Sequence, residues 1–299
     1  MTLTHPERVI DRESGLTKQR LADDYGKVAS RMFAHIAHRP LMFVRCPAGT
    51  GAACFHQRNW NESLPSGIEP IEGRDGTLFT VRSEAGIRSL AQFGVLEVHA
   101  WNARVPRLEH PDQWVFDLDP GDGVDWRLVA ETAFLIKERL GDYGLRSFVK
   151  TTGGKGLHIV APLEPRMGWE LGLRFSKAIC QEIAAVRPHS LLTKAAKADR
   201  HGKIFLDYLR NGRGATAVAP YSPRARPGLP VSIPIPWDDL ETVRGDSYHV
   251  EDADARIARS PWPSFHQLRQ FPRMPEGSAD KSPHSTTQRR SHHGKEAIR

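Results

Sequence analysis

In Trp114-Val-Phe-Asp-Leu-Asp-Pro-Gly two carboxylates alternate with apolar residues ahead of a Pro-Gly turn, and no other segment limits the fold so tightly. Successive side chains of a β-strand take opposite faces, so Asp117 and Asp119 project to one side while Phe116 and Leu118 project to the other. Such a strand belongs to a sheet with one face in the core and two acids crowded on the other. A third acid, Asp207 in Lys203-Ile-Phe-Leu-Asp-Tyr-Leu, stands in an otherwise apolar run, where an unpaired charge is expensive and needs a partner.

Periodicity supplies the elements around that sheet. Thr17 to His38 reads as an amphipathic helix lying against a sheet, with Thr17 as N-cap, Leu21, Tyr25, Val28, Met32 and Ile36 on one face, and Pro40 closing it. Strand-like runs follow at Leu41 to Cys46, Cys54 to Gln57, Thr77 to Arg82 and Val95 to His99, with a short helical stretch near Glu84 to Gln92. Beyond the acidic strand come a helix from Asp125 to Leu140, strands Ser147 to Thr151 and Leu157 to Ala161, a helix from Trp169 to Val186, and a strand from Ile204 to Leu209. Prolines donate no ladder hydrogen bond, so the run from Pro220 to Pro236 is a loop or a sheet edge. The mixture predicts an α+β fold, a mixed or antiparallel sheet flanked by helices, over residues 1–275. From Glu276 to Arg299 the composition turns to Ser, His, Gln, Lys and Arg, which reads as a disordered basic tail.

The 299 residues are 39% hydrophobic, which suits a globular core. No apolar run approaches a membrane span and the N-terminus lacks a signal segment, so a cytoplasmic, nucleoid-associated protein is expected, with no membrane partner. Cys46, Cys54 and Cys180 form no Cys-x-x-Cys pair, and all three read as reduced thiols, with neither a disulfide nor a zinc site. The net charge of +7 suits a polyanionic partner.

The paired acids Asp117 and Asp119 are either a solvated pair at a strand end or ligands of a hard divalent cation. Asp207 either completes a three-carboxylate site for two metals or pairs with Lys203 or Arg210. Between them, Lys150-Thr-Thr-Gly-Gly-Lys-Gly-Leu-His is either a hairpin or an anion-binding loop, with Thr152, Lys155 and His158 as donors. It is not a Walker loop, because the Gly-x-x-x-x-Gly-Lys-Ser/Thr spacing is absent.

Phe116-Asp-Leu-Asp-Pro, Thr151-Thr-Gly-Gly-Lys-Gly-Leu-His, Phe205-Leu-Asp-Tyr and Ala219-Pro-Tyr-Ser-Pro-Arg occur in the order seen in the polymerase domain of bacterial ligase D. The chain resembles that domain, of the archaeo-eukaryotic primase superfamily, from Leu3 to about Pro275. The resemblance implies a primase-type catalytic core and a template-using nucleotidyltransferase that extends 3′ ends and fills gaps at DNA double-strand breaks in non-homologous end joining. By the same resemblance Asp117, Asp119 and Asp207 are the catalytic metal ligands, for two ions of manganese or magnesium. Thr152, Lys155, His158 and Arg224 hold the nucleoside triphosphate, ribo- or deoxyribonucleotide, and His99 lies near it. Without the resemblance His99 reads equally as a hydrogen-bonded strand-end histidine and Arg224 as a surface arginine.

Two departures stand out. Thr152 replaces the more usual serine and keeps the hydroxyl donor, and where the family has two adjacent aromatics this chain has Phe55 followed by His56. Base stacking then falls to Phe55 or to the smaller ring of His56, unless Phe55 belongs to the core. Thr4-His-Pro-Glu-Arg-Val with Thr17-Lys18 also resembles the family, which implies that Arg8 and Lys18 bind the 5′ phosphate of a gapped or recessed DNA end. On composition alone Lys18 is a solvated lysine. The implied partners are DNA ends, a Ku-type end-binding protein and an ATP-dependent ligase module. Two rival classes, a DNA-end tether without catalysis and a metal-dependent phosphoesterase, explain less of the pattern.

Overall fold

Thr17 caps helix α1 (Lys18–Ile36) through its hydroxyl, which accepts from the Arg20 amide, and the helix buries Leu21, Tyr25, Val28, Met32 and Ile36, the residues whose spacing predicts it. This is a computed structural model; it describes residues 3–59, 64–74, 76–194, 196, 199–258 and 261–273, so the tail expected at 276–299 lies outside the described residues. After α1 come β1 (Leu41–Arg45), β2 (Phe55–Gln57), β3 (Ile68–Gly73), β4 (Gly76–Val81), α2 (Glu84–Ser89), β5 (Val95–Trp101) and β6 (Gln113–Pro120). Then follow α3 (Trp126–Asp142), β7 (Phe148–Thr151), β8 (Leu157–Pro162), α4 (Trp169–Val186), β9 (Leu191–Leu192), β10 (Ile204–Asp207), β11 (Thr216–Val218), β12 (Pro234–Ile235) and α5 (Ala253–Ile257).

Among the described residues the strands make a four-stranded sheet ordered β11-β5-β1-β2, a six-stranded sheet ordered β12-β7-β8-β6-β10-β9, and the β3-β4 hairpin. Pairing is antiparallel except between β9 and β10. The fold is α+β with mixed and antiparallel sheets. Trp114, Phe116 and Leu118 are fully buried, with Trp114 stacked on Phe175 of α4 at 5.2 Å between centroids. Truncating either aromatic to alanine costs about 3–5 kcal/mol. Val115, on the opposite face, packs with Ala217 of β11, Phe148 and Trp262. The acids of β6 share that second face, which looks toward the four-stranded sheet and away from α4.

Several expectations change. The strand from Ile204 stops at Asp207 because Leu209–Asn211 turns into a 3-10 helix, whose Leu209 amide donates to Asp207 Oδ1 at 2.8 Å. Strand β3 carries no clear strand signal: Pro70 and Gly73 interrupt it and most of its side chains are exposed, as a two-stranded ribbon tolerates. Prolines keep β12 at the sheet edge beside β7, one of the two places open to that run. Cys46 and Cys54 are joined by a disulfide, which corrects the expectation of three reduced thiols. Their spacing of eight hides the pair in the sequence, but Arg45 opposite Phe55 in the β1–β2 hairpin makes them the next facing positions. Cys180 is a free, buried thiol. Among the described residues no helix is long and apolar enough to cross a membrane.

Candidate active site

Strand register decides which side chains meet. Asp207 of β10 is opposite Asp117 of β6, Asp117 is opposite His158 of β8, and His158 is opposite Lys150 of β7. Directly opposed residues of antiparallel strands point to the same face, so these four form one row across the sheet, with Asp119 two residues along the same face.

The Arg210 guanidinium lies between two of the acids, its Nε 3.2 Å from Asp117 Oδ2 and 3.3 Å from Asp207 Oδ2. Of the partners considered for Asp207, Arg210 is the one that pairs with it. Arg200 Nη1 is 2.5 Å from Asp119 Oδ2, and its guanidinium covers the Phe205 ring at 4.3 Å. Burial works to raise Asp117, but His158, Arg210 and Lys150 together outweigh it and hold the carboxyl well below the usual carboxylate range. Asp207 is raised by burial; Arg210 opposes this and the neighbouring Asp117 and Asp119 add to it. Burial and Lys150 press His158 down to about 4, against the pull of Asp117 at 3.4 Å, so its imidazole is neutral at pH 7.

Among the described residues no three His, Cys, Asp or Glu groups stand in a ready-made metal cage. The three acids nonetheless fit one chemically: they offer hard oxygen donors, and cationic guanidinium groups now lie against all three.

The glycine-rich loop links β7 to β8 beside this row. Gly153 is left-handed at φ +65, and a Cβ there would meet Arg224 Cγ at 2.6 Å; a Cβ at Gly156 would overlap the Leu118 carbonyl oxygen. The loop therefore lies close against β6, next to the acids. Thr152 is buried and spends its hydroxyl on the Gly156 carbonyl at 3.0 Å. Lys155 reaches Asp122 at 2.6 Å in an exposed ion pair, a kind that adds little and is readily exchanged. His158 Nδ1 is buried with no hydrogen-bond partner among the described residues.

Across from the loop, His99 Nε2 is 2.7 Å from Glu97 Oε2, and Arg224 Nε is 3.0 Å from the same oxygen while its Nη1 donates to the Thr152 carbonyl at 2.8 Å. His99 is thus hydrogen-bonded, and Arg224 is mostly covered rather than a surface arginine. A cleft of about 580 Å³ between the sheets brings together Asp117, Asp119, Thr152, Lys155, His158, His99 and Arg224, with Asp207 behind Asp117.

Phe55 and His56 do not line this cleft. They sit on the edge strand β2, both exposed; Phe55 lies over the Arg45 guanidinium at 5.4 Å and is not a core residue. Arg8 and Lys18 line a separate cavity of about 200 Å³ with Arg45, Pro47 and Gln92. Lys18 is buried, not solvated: its Nζ donates to the Thr4 carbonyl at 2.9 Å and to Gln92 Oε1 at 3.0 Å, while Arg8 donates to the Pro47 carbonyl at 3.2 Å. Burial and the nearby Arg8 lower the Lys18 pKa.

Sequence reasoning missed Glu97, Arg200 and the row position of Lys150. A charged residue within the apolar Val95-Leu-Glu-Val is the signal that singles out Asp207, and it would have found Glu97.

The model of the LigD primase-polymerase domain family matches residues 17–263. The chain belongs to this family. As a LigD primase-polymerase domain it is 36% identical over 277 residues to the multifunctional non-homologous end joining protein LigD of Pseudomonas aeruginosa, covering 90% of this chain and 33% of that protein. It is 32% identical over 273 residues to the corresponding DNA repair protein of Mycobacterium tuberculosis, covering 87% of this chain and 36% of that one. The domain thus spans about a third of the length of these curated relatives. The polymerase domain of M. tuberculosis ligase D, solved in complex with DNA, matches it with a TM-score of 0.81 and 31% identity, over 88% of this chain and 96% of that one. Primase-polymerase membership makes the chain a nucleotidyltransferase by family.

Proposed function

We propose that this domain extends the 3′ end of a primer at a DNA break, using a nucleoside triphosphate and a template strand, and fills short gaps during non-homologous end joining. The row Asp207, Asp117 and His158 across three strands, facing the glycine-rich loop, is the observation that carries this reading. Asp117, Asp119 and Asp207 would hold two divalent cations, manganese or magnesium. When bound, these supply a lowered pKa for the primer hydroxyl and offset charge on the triphosphate.

The chain's own residues do the rest. Lys155 leaves the exposed Asp122 for a phosphate oxygen, and Arg224, anchored on the Thr152 carbonyl, turns its remaining N–H groups toward the triphosphate. Gly154, which lines the cleft beside the Arg226 guanidinium, allows close approach of an anion, while the Gly153 amide is spent on the Gly245 carbonyl. Arg210, between Asp117 and Asp207, and Arg200, beside Asp119, offset the mutual repulsion of the acids with guanidinium charge. Arg8 and Lys18 bind a 5′ phosphate, and Phe55 or His56 stacks on a base. The partners are gapped or recessed DNA ends, a ligase module, and a Ku-type end-binding protein.

Incubating the protein with labelled primer-template, manganese and each nucleotide tests this. Extension that depends on the templating base is expected. A shortened primer would make it a phosphoesterase, and a bound but unchanged primer an end tether.

A further inference from the structure

Glu97 is a carboxylate built into the middle of β5, flanked by Val95, Leu96 and Val98, all fully buried, and itself only 7% exposed. A charge in such a place is kept only when its oxygens are matched. Both are: Oε1 accepts from the Ala225 amide at 2.9 Å, and Oε2 accepts from His99 Nε2 at 2.7 Å while lying 3.0 Å from Arg224 Nε. The segment holding Arg224 is laid along the same strand, with the Ala219 amide donating to the Val98 carbonyl and the Val98 amide to Ser222 Oγ, each at 2.8 Å. Arg224 then reaches across the cleft to the Thr152 carbonyl. One buried carboxylate therefore connects β5, the Arg224 segment and the glycine-rich loop of the other sheet.

We propose that Glu97 is a positioning residue for nucleotide binding, which fixes the tautomer of His99 and the direction of Arg224; this rests on the reading of the cleft as the triphosphate site. An ionised carboxylate accepts and cannot donate, so His99 must carry its proton on Nε2 and present Nδ1 to the cleft as an acceptor. Arg224, drawn to Glu97 by charge at 3.0 Å and hydrogen-bonded through Nη1 to the Thr152 carbonyl, is already fixed beside the cleft, so little side-chain freedom is lost when the anion arrives. Burial lowers the His99 pKa even against the pull of Glu97, a direction that favours the neutral ring this proton arrangement needs.

The substitution Glu97→Gln keeps the shape but places an amide N–H₂ against either His99 or Arg224, which breaks one link or both. Steady-state extension with varied nucleotide should show an apparent KM raised by about tenfold or more, with DNA affinity at fixed salt and cooperative unfolding retained. The effect of Glu97→Gln should largely vanish in an Arg224→Ala, His99→Ala background, because Glu97 acts through those two residues. Nitrogen-15 spectra of unsubstituted protein should show His99 as the Nε2–H tautomer, a readout that needs no variant to fold. An Nδ1–H tautomer, a KM within about twofold of the parent, or an effect that multiplies fully with the double background would each overturn the assignment. If His99→Ala and Arg224→Ala themselves leave KM unchanged, the triphosphate reading fails and Glu97 with it. If they raise KM and Glu97→Gln does not, only the Glu97 assignment fails.

Discussion

Asp207 stands directly opposite Asp117 across the β10–β6 pair, and the Arg210 guanidinium reaches both carboxylates, at 3.3 and 3.2 Å. Facing acids repel unless a cation lies between them; the Asp207 pKa is raised chiefly by burial, with Asp117 and Asp119 adding to it against the pull of Arg210. Hard oxygen donors gathered in this way are what the proposed metal role requires. Alanine at Asp117 or at Asp207 should therefore abolish primer extension while DNA affinity stays within about twofold, since removing an acid does not weaken phosphate attraction. Gel-based extension and fluorescence anisotropy on the same preparations check this; an Asp207→Ala enzyme with near-normal turnover refutes the three-acid site.

The glycine-rich loop makes a sharper steric prediction. A methyl group at position 156 overlaps the Leu118 carbonyl, which belongs to the acid-bearing strand and cannot swing aside as a side chain would. Gly156→Ala should lower stability by about 1–3 kcal/mol and raise the nucleotide KM as the loop lifts from β6. Lys155→Ala, at an exposed site, should raise KM with no loss of stability. Urea unfolding paired with nucleotide titration separates the two.

How much of this was legible follows from what each signal measures. The period of α1 and the alternation in β6 report faces, and both faces are where the sequence puts them, because burial of Leu21 and Val28 or of Phe116 and Leu118 leaves no alternative. Register is a different matter: nothing in Phe205-Leu-Asp says that Asp207 will oppose Asp117 and not Asp119, since pairing is fixed by turns and sheet packing far along the chain. For the same reason the Cys46–Cys54 pair was invisible until the hairpin set its two strands. Arg200 and Arg210 could be seen as basic residues near acids, but which arginine meets which acid is a property of the fold. Phe55 could not be assigned to core or surface, because β2 is an exposed edge where the hydrophobic pattern carries no weight.

Glu97 gives stability a defined pH dependence. Burial works to raise its pKa, but the His99 hydrogen bond and the Arg224 charge outweigh this and hold it at about 2, against a usual 4.5. A carboxylate depressed in the folded state contributes stability that is complete above pH 4.5 and lost as pH falls toward 2, of order 3 kcal/mol. His99, also depressed, has the same sign, because the unfolded chain takes up its proton first as pH falls below 6.5. The stability advantage of the parent over Glu97→Gln should thus shrink steadily between pH 5 and pH 3 in urea titrations. A difference that stays constant over that range contradicts the assigned shift.

The disulfide predicts a redox effect on stability. Linking residues eight apart restrains the unfolded chain by about 2–3 kcal/mol, so reduction should lower the melting temperature by roughly 5 °C. Cys54→Ser should melt like the reduced parent and be indifferent to reductant. After reduction, a thiol reagent should label exposed Cys54 in the native protein and spare Cys180, whose thiol is buried and pushed up by that burial. Equal melting temperatures with and without reductant would mean that the pair contributes nothing.

The last prediction concerns DNA ends and starts from the small cavity shared by Arg8 and Lys18. Lys18 is buried and its pKa is lowered by burial and by Arg8, so the two cations are held together at some electrostatic expense that an anion would relieve. A terminal 5′ phosphate supplies such an anion, and each charge-assisted hydrogen bond it gains is worth about 1.5–3 kcal/mol when well formed. Since about 1.4 kcal/mol is a factor of ten in an equilibrium constant, one such bond is already measurable. Gapped DNA with a downstream 5′ phosphate should bind and be filled several-fold better than the same DNA ending in a 5′ hydroxyl. Lys18 also ties Thr4 to Gln92, so Lys18→Ala will loosen the N-terminal segment as well as remove charge. Arg8→Ala is the cleaner variant, because its contact to the Pro47 carbonyl is exposed. It should reduce the phosphate preference while extension on a plain primer-template, which has no downstream end, stays unchanged, and Arg8→Ala with Lys18→Ala together should erase it. All comparisons need one fixed salt concentration, because nonspecific phosphate contacts also weaken as salt rises. If the double variant still distinguishes phosphate from hydroxyl as strongly as the parent, the end is read at another surface and this cavity serves only to hold the N-terminal segment in place.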